Sequence, residues 1–400
     1  MLNILFLVPA ISESSKGIFK KQFYKITAFE KAGCIVKPIL FTHEIKNSYD
    51  KETFQIPIDD TIIRNRYSKK IIWRFLPYLL ARNSAKIIYE NIKNNIKGID
   101  YAYIRYSGAD FHSLKLFKLL KNKKIKIIFE YNGHVYNDEV INFKSNMSVF
   151  TFYKYINEKY FQKKVATYAN IIVGVTNELT EFYSKLNPLA VKYTLSNGVD
   201  ISKFSKRNPI NYDCDCIKFL FLSGSVNYWH GLDRFLNGLK QYTGSRKIEL
   251  TIAGLVHAEY KKYNYINENI SVNFLNSLDG AELNTLFNDH HIGIGSLALH
   301  RMGLKEASVL KVREYIVRGM PFILGYKDTD LFNADDFKHF YFEVKPDESF
   351  LNIEDVLRFA DRVLIIKNYS QKMSELGGPL VDYKPKIEGL VHLMEKLKNN

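Results

Sequence analysis

The sequence predicts an α/β protein built from two doubly wound domains with a ligand cleft between them. Three observations carry that prediction. The chain has 400 residues, room for two ordinary domains. Short apolar runs alternate with helical patterns, and the alternation restarts after residue 215. In the first series the runs at 4–8, 35–40, 101–105, 125–129 and 171–175 read as buried parallel strands. Helical patterns at 19–31, 111–121 and 149–168 lie between them. In the second, strands at 217–222, 249–253, 272–274, 292–294 and 322–324 alternate with helices near 232–242, 281–289 and 310–318. The polar stretch 200–215 reads as a linker, and Gly377-Gly378-Pro379 as a break before a last amphipathic helix at 385–398. The expected domains are therefore 1–198 and 199–378, with 379–400 packing back toward the first.

Hydrophobic residues make up 46% of the chain and charged residues 25%, which excludes a disordered or fibrous protein. The three cysteines, Cys34, Cys214 and Cys216, are too few and too oddly numbered for an exported disulfide scaffold. A lone Cys-x-Cys without a second ligand pair does not make a zinc site. These features point to a reducing cytoplasm. The apolar start of the chain lacks a basic leader and reads as a first strand. No run reaches the roughly 18–20 apolar residues that span a bilayer. The closest, 71–81, is broken by Arg74 and Pro77.

The net charge of +15 is unevenly spread. Residues 1–200 hold 31 basic and 17 acidic side chains, the remainder 26 and 25. The first half therefore faces something anionic. Two segments stand out, Lys121-Asn-Lys123-Lys124 and the stretch holding Arg66, Lys69, Lys70, Trp73 and Arg74. Aromatic residues among the basic ones suit a segment lying at a membrane surface, the alternative being a solvated lysine-rich face.

Four loops carry candidate chemistry. Gly17 follows the first strand and opens a helix, where backbone amides can approach a phosphate. Glu130-Tyr-Asn-Gly-His134 follows a buried strand, at the edge where open α/β sheets bind ligands, and His134 could orient a hydroxyl or take a proton. The turn Ser223-Gly224-Ser225-Val-Asn-Tyr-Trp229-His230-Gly231-Leu-Asp233-Arg234 repeats the anion-cradle position in the second half, although Trp229 there could be plain core. The fourth loop places Glu306 and Glu314 seven residues apart, with Arg301, Lys305 and Lys311 close by. Carboxylates accept paired hydrogen bonds from vicinal hydroxyls, and the cations can neutralise a diphosphate. The competing reading is a solvated helix with a Lys311–Glu314 ion pair at i,i+3. No Gly-x-Gly-x-x-Gly fingerprint follows any strand, which speaks against a nicotinamide enzyme.

Taken together these residues resemble a family-four (group 1) glycosyltransferase of the GT-B fold, with two Rossmann-like domains facing a central cleft. Glu306 and Glu314 match that family's E-x7-E motif within Ser308-x-Leu310-Lys311-x-x-Glu314-Tyr315-x-x-x-Gly319-x-Pro321, and Ser196-Asn197-Gly198-Val199-Asp200 matches its hinge. The Trp-His-Gly-x-Asp-Arg turn and His300-Arg301 resemble a branch that builds capsule, exopolysaccharide and lipopolysaccharide. The resemblance implies a retaining, metal-independent transferase with no cofactor beyond its nucleotide-sugar co-substrate. By it, Glu314 would hold the ribose, Glu306 the donor sugar, Gly17 and Gly224 would lie by the diphosphate, and His134 would lie near the transferred sugar. The sequence departs from the family where Ser225 and His230 replace the usual Arg and Lys that grip the diphosphate. Arg301 and Lys311, with His230, are expected to supply that charge.

For the basic half, the resemblance implies a glycan or polyprenyl-diphosphate-linked acceptor, and a protein peripheral on the inner face of the plasma membrane. Nucleic acid is not expected, since no docking motif accompanies the basic residues. Two rival readings are a nucleotide-sugar 2-epimerase of the same fold and a non-catalytic basic protein binding nucleic acid or membrane.

Overall fold

The computed structural model describes residues 1–11, 16–42, 62–64, 77–135, 149–207, 215–276, 278 and 280–399. The expected membrane segment with Arg66, Lys69, Lys70, Trp73 and Arg74 lies outside these. The chain divides into two compact units, 1–196 with 384–400, and 197–383.

Among the described residues the first unit holds seven parallel strands: β1 (Asn3–Ile11), β2 (Ile35–Thr42), β3 (Ile62–Arg64), β4 (Tyr101–Arg105), β5 (Lys126–Tyr131), β6 (Ile171–Gly174) and β7 (Val191–Thr194). Their order, β3-β2-β1-β4-β5-β6-β7, is the doubly wound order, with the reversal beside β1. The helices are α1 (Lys16–Lys31), α2 (Pro77–Ile92), α3 (Phe111–Asn122), α4 (Val149–Ala166) and α5 (Asn177–Ser184). The central strands are apolar on both faces because helices cover both. Phe6 stacks on Tyr103 at 4.9 Å, and Phe29 of α1 meets Tyr103 edge-on. Local chemistry starts the helices: Asp110 and Ser113 form a reciprocal capping box on α3, and the Thr176 hydroxyl accepts from Leu179 N at the start of α5. Strand β5 runs two residues further than its apolar pattern predicts and carries Glu130 and Tyr131 into the interior.

The second unit repeats the plan with β8 (Cys216–Ser225), β9 (Lys247–Leu255), β10 (Tyr265–Asn267), β11 (Ile270–Leu275), β12 (Ile292–Ile294), β13 (Glu306–Ala307), β14 (Phe322–Leu324), β15 (Lys327–Asp328) and β16 (Tyr341–Glu343). The main sheet has the order β10-β11-β9-β8-β12-β14-β16 and is parallel except at β10, while β13 and β15 form a separate pair. Helices α6 (Leu232–Gln241), α7 (Gly280–Asp289), α8 (Leu310–Arg318), α9 (Ile353–Leu364) and α10 (Tyr369–Val381) belong to it.

The last helix, α11 (Tyr383–Asn399), is part of the first unit from Lys384 onward. Tyr101 donates to Met394 O at 2.6 Å, Tyr193 to Lys386 O at 3.1 Å, and Lys398 pairs with Asp100. The expected break at Gly377-Gly378-Pro379 is corrected: α10 runs through all three residues, and the chain leaves it at Asp382. Gly377 is there for packing, since a Cβ would lie 2.4 Å from the Phe337 ring. The hinge motif has its own steric reason. A Cβ on Gly198 would sit 2.7 Å from Val381 O, where Val199 N donates to Val381 O and Val199 O accepts from Tyr383 N as the chain passes in and out of the second unit.

Candidate functional site

In the second unit, the carboxyl ends of β8 and β12 and the start of α8 gather most of the sequence-predicted residues. Gly224 lies exposed at the end of β8, and the turn beyond it is held from below. Gly231 has φ of +66°, and a Cβ there would lie 2.9 Å from Ala298 N, so only glycine fits. His230 O accepts from Leu297 N at 2.9 Å. Arg234, on the first turn of α6, is buried and donates to the carbonyls of Leu297, Lys345 and Ser349, tying three loops together. This arginine positions the turn and also reaches the part-exposed Asp347 carboxylate at 3.4 Å.

His230 accepts from Asn227 N through Nδ1 at 3.0 Å, which leaves the proton on Nε2. Burial, then the nearby Lys311, pushes its pKa down to about 3, so the ring is a neutral N–H donor. Lys311, on the first turn of α8, places Nζ 3.9 Å from the centre of the Phe221 ring. Its Nζ is buried and, among the described residues, has no hydrogen-bond partner, and burial pulls its pKa down to about 7. The ion pair with Glu314 that their spacing allows does not form. Glu314 is half-buried one turn along the same helix. An amine left without a counter-charge is costly. Its place beside a neutral imidazole donor suits an anionic ligand.

Glu306 is buried in β13, paired with Lys327 of β15. The neighbouring Ser308 and Arg313 hold the hinge: Asn197 N donates to Ser308 Oγ at 2.7 Å, and Arg313 Nε donates to Asn197 O at 2.9 Å. Arg313 is fully buried and also donates to Asp328 and Asp330. Burial works against its charge, but the two carboxylates outweigh burial and raise its pKa above the usual arginine range. No local pattern announces this cluster, because a buried arginine on a helix looks like a solvated one in sequence.

Arg301 stands differently from expectation. Its guanidinium donates to both oxygens of Asp233, to Glu348 and to Tyr228 O. His300 Nε2 shares Glu348 at 2.7 Å. The hydrogen bonds to Glu348 and Asp233 raise the Arg301 pKa, so the side chain is already neutralised by two carboxylates. Arg301→Ala is therefore expected to change nucleotide affinity by less than about threefold, the scale of a single part-exposed ion pair. Titration calorimetry with UDP checks this, and a tenfold loss would restore Arg301 as a phosphate contact.

In the first unit, His134 follows β5 and is buried against Phe182, ring centres 4.5 Å apart. Burial lowers its pKa, Glu178 opposing, and its Nδ1 has no hydrogen-bond partner among the described residues. Tyr183 fixes this turn, donating to Gly133 O at 2.9 Å and accepting from Val135 N at 3.1 Å while its ring stacks on Tyr131 at 3.6 Å. Gly17 lies in the first turn of α1. Thus Gly224, His230, Lys311, Glu314, Glu306 and Arg301 belong to the second unit, and Gly17 and His134 to the first.

No family model matches the sequence, and no curated protein matches it. Solved structures do resemble the fold over its whole length. A glycosyltransferase from Rickettsia africae aligns with TM-score 0.61 at 14% identity, over 100% of this chain and 99% of that one. An α-glucosyltransferase in complex with UDP and a DNA containing an HMU base aligns with TM-score 0.61 at 12% identity, over 99% of each chain. A UDP-N-acetylglucosamine 2-epimerase aligns with TM-score 0.53 at 11% identity, over 100% of this chain and 97% of that one. With two Rossmann-like units and these relatives, the chain has the GT-B fold. Among the described residues, no helix is long and apolar enough to cross a membrane.

Proposed function

We propose that this protein is a retaining, metal-independent glycosyltransferase that moves a sugar from a nucleotide-sugar donor to a lipid-linked glycan in bacterial surface polysaccharide synthesis. The observation that carries the reading is Lys311: a buried ammonium without a counter-charge, beside the neutral His230, on the helix that also bears Glu314. In this reading Lys311 and the His230 Nε2–H take the place of the Arg and Lys that the resemblance leads one to expect. They hold the diphosphate at the end of β8, near Gly224. Glu314 accepts hydrogen bonds from the ribose hydroxyls, and Glu306 contacts the donor sugar. When the bond from the anomeric carbon to the diphosphate breaks, negative charge grows on the leaving oxygen, and fixed donors already aimed there stabilise it. The acceptor hydroxyl adds to the same face of the sugar and passes its proton to that oxygen. His134, neutral and with Nδ1 open, orients the transferred sugar. In this reading the enzyme works at the inner face of an anionic membrane, and the basic excess of the first half supports that location.

The transfer is tested by incubating UDP-, GDP- and dTDP-sugars with farnesyl-diphosphate-linked N-acetylglucosamine and identifying the product by mass spectrometry and NMR. The expected product is an extended glycan with the donor's anomeric configuration, formed equally in EDTA. Glu314→Ala is expected to raise the donor KM at least about tenfold, the worth of a bidentate contact to a charged group. The likeness to a 2-epimerase favours one alternative, consumption of the donor without acceptor and release of a free altered sugar. That product would replace the transferase reading.

A further inference from the structure

Helix α4 of the first unit buries polar side chains and exposes apolar ones. Thr151, Asn157 and Glu158 are turned inward. Phe152, Tyr153, Ile156 and Tyr160 are turned outward, 49%, 46%, 41% and 61% exposed. Phe152, Ile156 and Tyr160 follow one another at i, i+4 and i+8, which makes a single stripe along the helix. The inward carboxylate has a structural task. Glu158 accepts from the Tyr106 hydroxyl at 2.8 Å and from Ala109 N at 2.6 Å, and so ties the start of α3 to α4. That task explains a polar residue facing in, and leaves the apolar stripe facing water unexplained. Single exposed apolar residues are ordinary, but a contiguous run of them on one helix marks a contact surface.

Lysines frame that stripe. Lys159, Lys163 and Lys164 are exposed. By helical spacing Lys159 and Lys163 fall on the line of Phe152 and Ile156, and Lys164 lies one turn from Tyr160, its Nζ 3.9 Å from the centre of that ring. Glu158 is the sole acidic residue of α4 and is buried, so the outward face of the helix carries positive charge alone. This charge pattern selects the occupant. A second copy of the chain, laid against the same face, would set lysine against lysine. An anionic bilayer satisfies both halves of the pattern. Phenylalanine, isoleucine and the tyrosine rings enter the boundary between headgroups and acyl chains, while hydroxyls and ammonium groups stay level with the phosphates. The first half of the chain adds its surplus, 31 basic against 17 acidic residues. Because β5 and β6 are parallel neighbours, the helix between them starts at the carboxyl edge of the sheet, the edge that His134 follows.

We infer that the outward face of α4, through Phe152, Ile156 and Tyr160 with Lys159, Lys163 and Lys164, docks the protein on an anionic lipid bilayer. The helix lies along the surface, with its apolar stripe in the headgroup layer. The reason for going there, a lipid-linked acceptor, rests on the transferase reading; the docking face does not. This surface is distinct from the basic aromatic stretch at 66–74. Docking through the first turns of α4 brings the carboxyl edge of the sheet, and with it His134, toward the headgroups.

Vesicle flotation with the full chain, in the absence of any sugar donor or acceptor, tests this. The vesicles are phosphatidylcholine alone, or phosphatidylcholine mixed with phosphatidylglycerol. Wild type is expected to float with the anionic vesicles and to stay behind with the neutral ones. Ile156→Ser with Tyr160→Ser is expected to weaken binding at least about tenfold, through the apolar area no longer buried in lipid. Lys159→Gln with Lys163→Gln is expected to weaken it about thirtyfold, about fivefold for each charge at a lipid surface. Leu189→Ser, at a residue 96% exposed and outside α4, should leave binding unchanged. The substituted side chains face solvent, so circular dichroism should match wild type, and the lysine pair keeps the test alive should the apolar pair unfold. Flotation of both α4 variants like wild type, equal binding to neutral and anionic vesicles, or no vesicle binding at all overturns the inference. So does a wild-type dimer that floats with no vesicle and that Ile156→Ser with Tyr160→Ser dissociates, since the face then belongs to a second copy. Transfer to farnesyl-diphosphate-linked N-acetylglucosamine in solution is measured separately. Vesicle binding that depends on α4 in a protein without transfer activity ends the transferase reading and leaves the docking face standing. Transfer by a protein that binds no vesicle does the opposite.

Discussion

Lys311→Met is expected to lower the rate of transfer about 10²–10³-fold while making the free protein more stable. The two effects have one cause. Lys311 keeps an ammonium out of water with no partner, which costs the folded state, and supplies the charge on which leaving-group departure depends. Methionine keeps the stem and removes the charge. The pH dependence follows from a folded pKa near 7 against an ordinary lysine value of 10.5. Between those values the unfolded chain carries a proton that the folded chain lacks, so wild-type stability rises with pH across that window. The slope from this one group approaches about 1.4 kcal/mol per pH unit. Below pH 7 both states are protonated and the penalty is at its full size. In Lys311→Met this slope is absent, and denaturant titrations at pH 6.5 and 9.5 compare the two proteins. Binding of an anionic donor favours the charged amine, so nucleotide affinity in wild type should weaken as pH rises above 7. A Lys311→Met protein that is less stable at pH 6.5 would mean the amine has a structural partner after all.

Arg313→Met is expected to cost about 3–5 kcal/mol of stability, the usual result of removing one member of a buried ion pair. The substitution strands Asp328, which is 1% exposed, and leaves Asn197 O without the Nε–H donor. Replacing the partner as well, in Arg313→Met with Asp328→Leu, should recover much of the loss, because the stranded carboxylate is the main expense. Urea denaturation of the two variants measures both steps. Equal stability of the single and double variants would show that Asp330 and Asp328 are not left in need of Arg313.

The architecture was written plainly in the chain because buried parallel strands are continuous apolar runs, and runs such as 4–8 and 217–222 need no knowledge of tertiary contacts to be read. The sheet-edge strands β3, β7 and β16 each include a charged residue, Arg64, Lys192 or Glu343, and so lack the unbroken apolar run that marks a central strand. The helix through Gly377-Gly378-Pro379 is hidden in sequence because the Phe337 ring demands a small residue there, and tertiary packing overrides the usual reading of such a triplet.

The candidate site was legible where spacing matters and illegible where pairing does. Glu306, Lys311 and Glu314 could be picked out from their interval. That Arg301 is consumed by Asp233 and Glu348 depends on residues 68 and 47 positions away, and no local pattern announces it. Lys21, Gln22 and Lys25 look like the polar face of an amphipathic helix, yet they are its buried face. Only the sheet beneath them, with Glu130 carried inward by the longer β5, makes that visible.

In the proposed function the β8 turn and the start of α8 bind a nucleotide diphosphate through Lys311. The most direct measurement is a thermal-shift series with UDP, GDP, CMP and dTDP and their sugars, on wild type, Lys311→Met and Glu314→Ala. One nucleotide series is expected to raise the wild-type Tm by several degrees, as ligand present at about 100 times its Kd would. Both variants should lose most of that rise. A wild-type protein indifferent to every nucleotide, or a Lys311→Met protein stabilised as much as wild type, would contradict it.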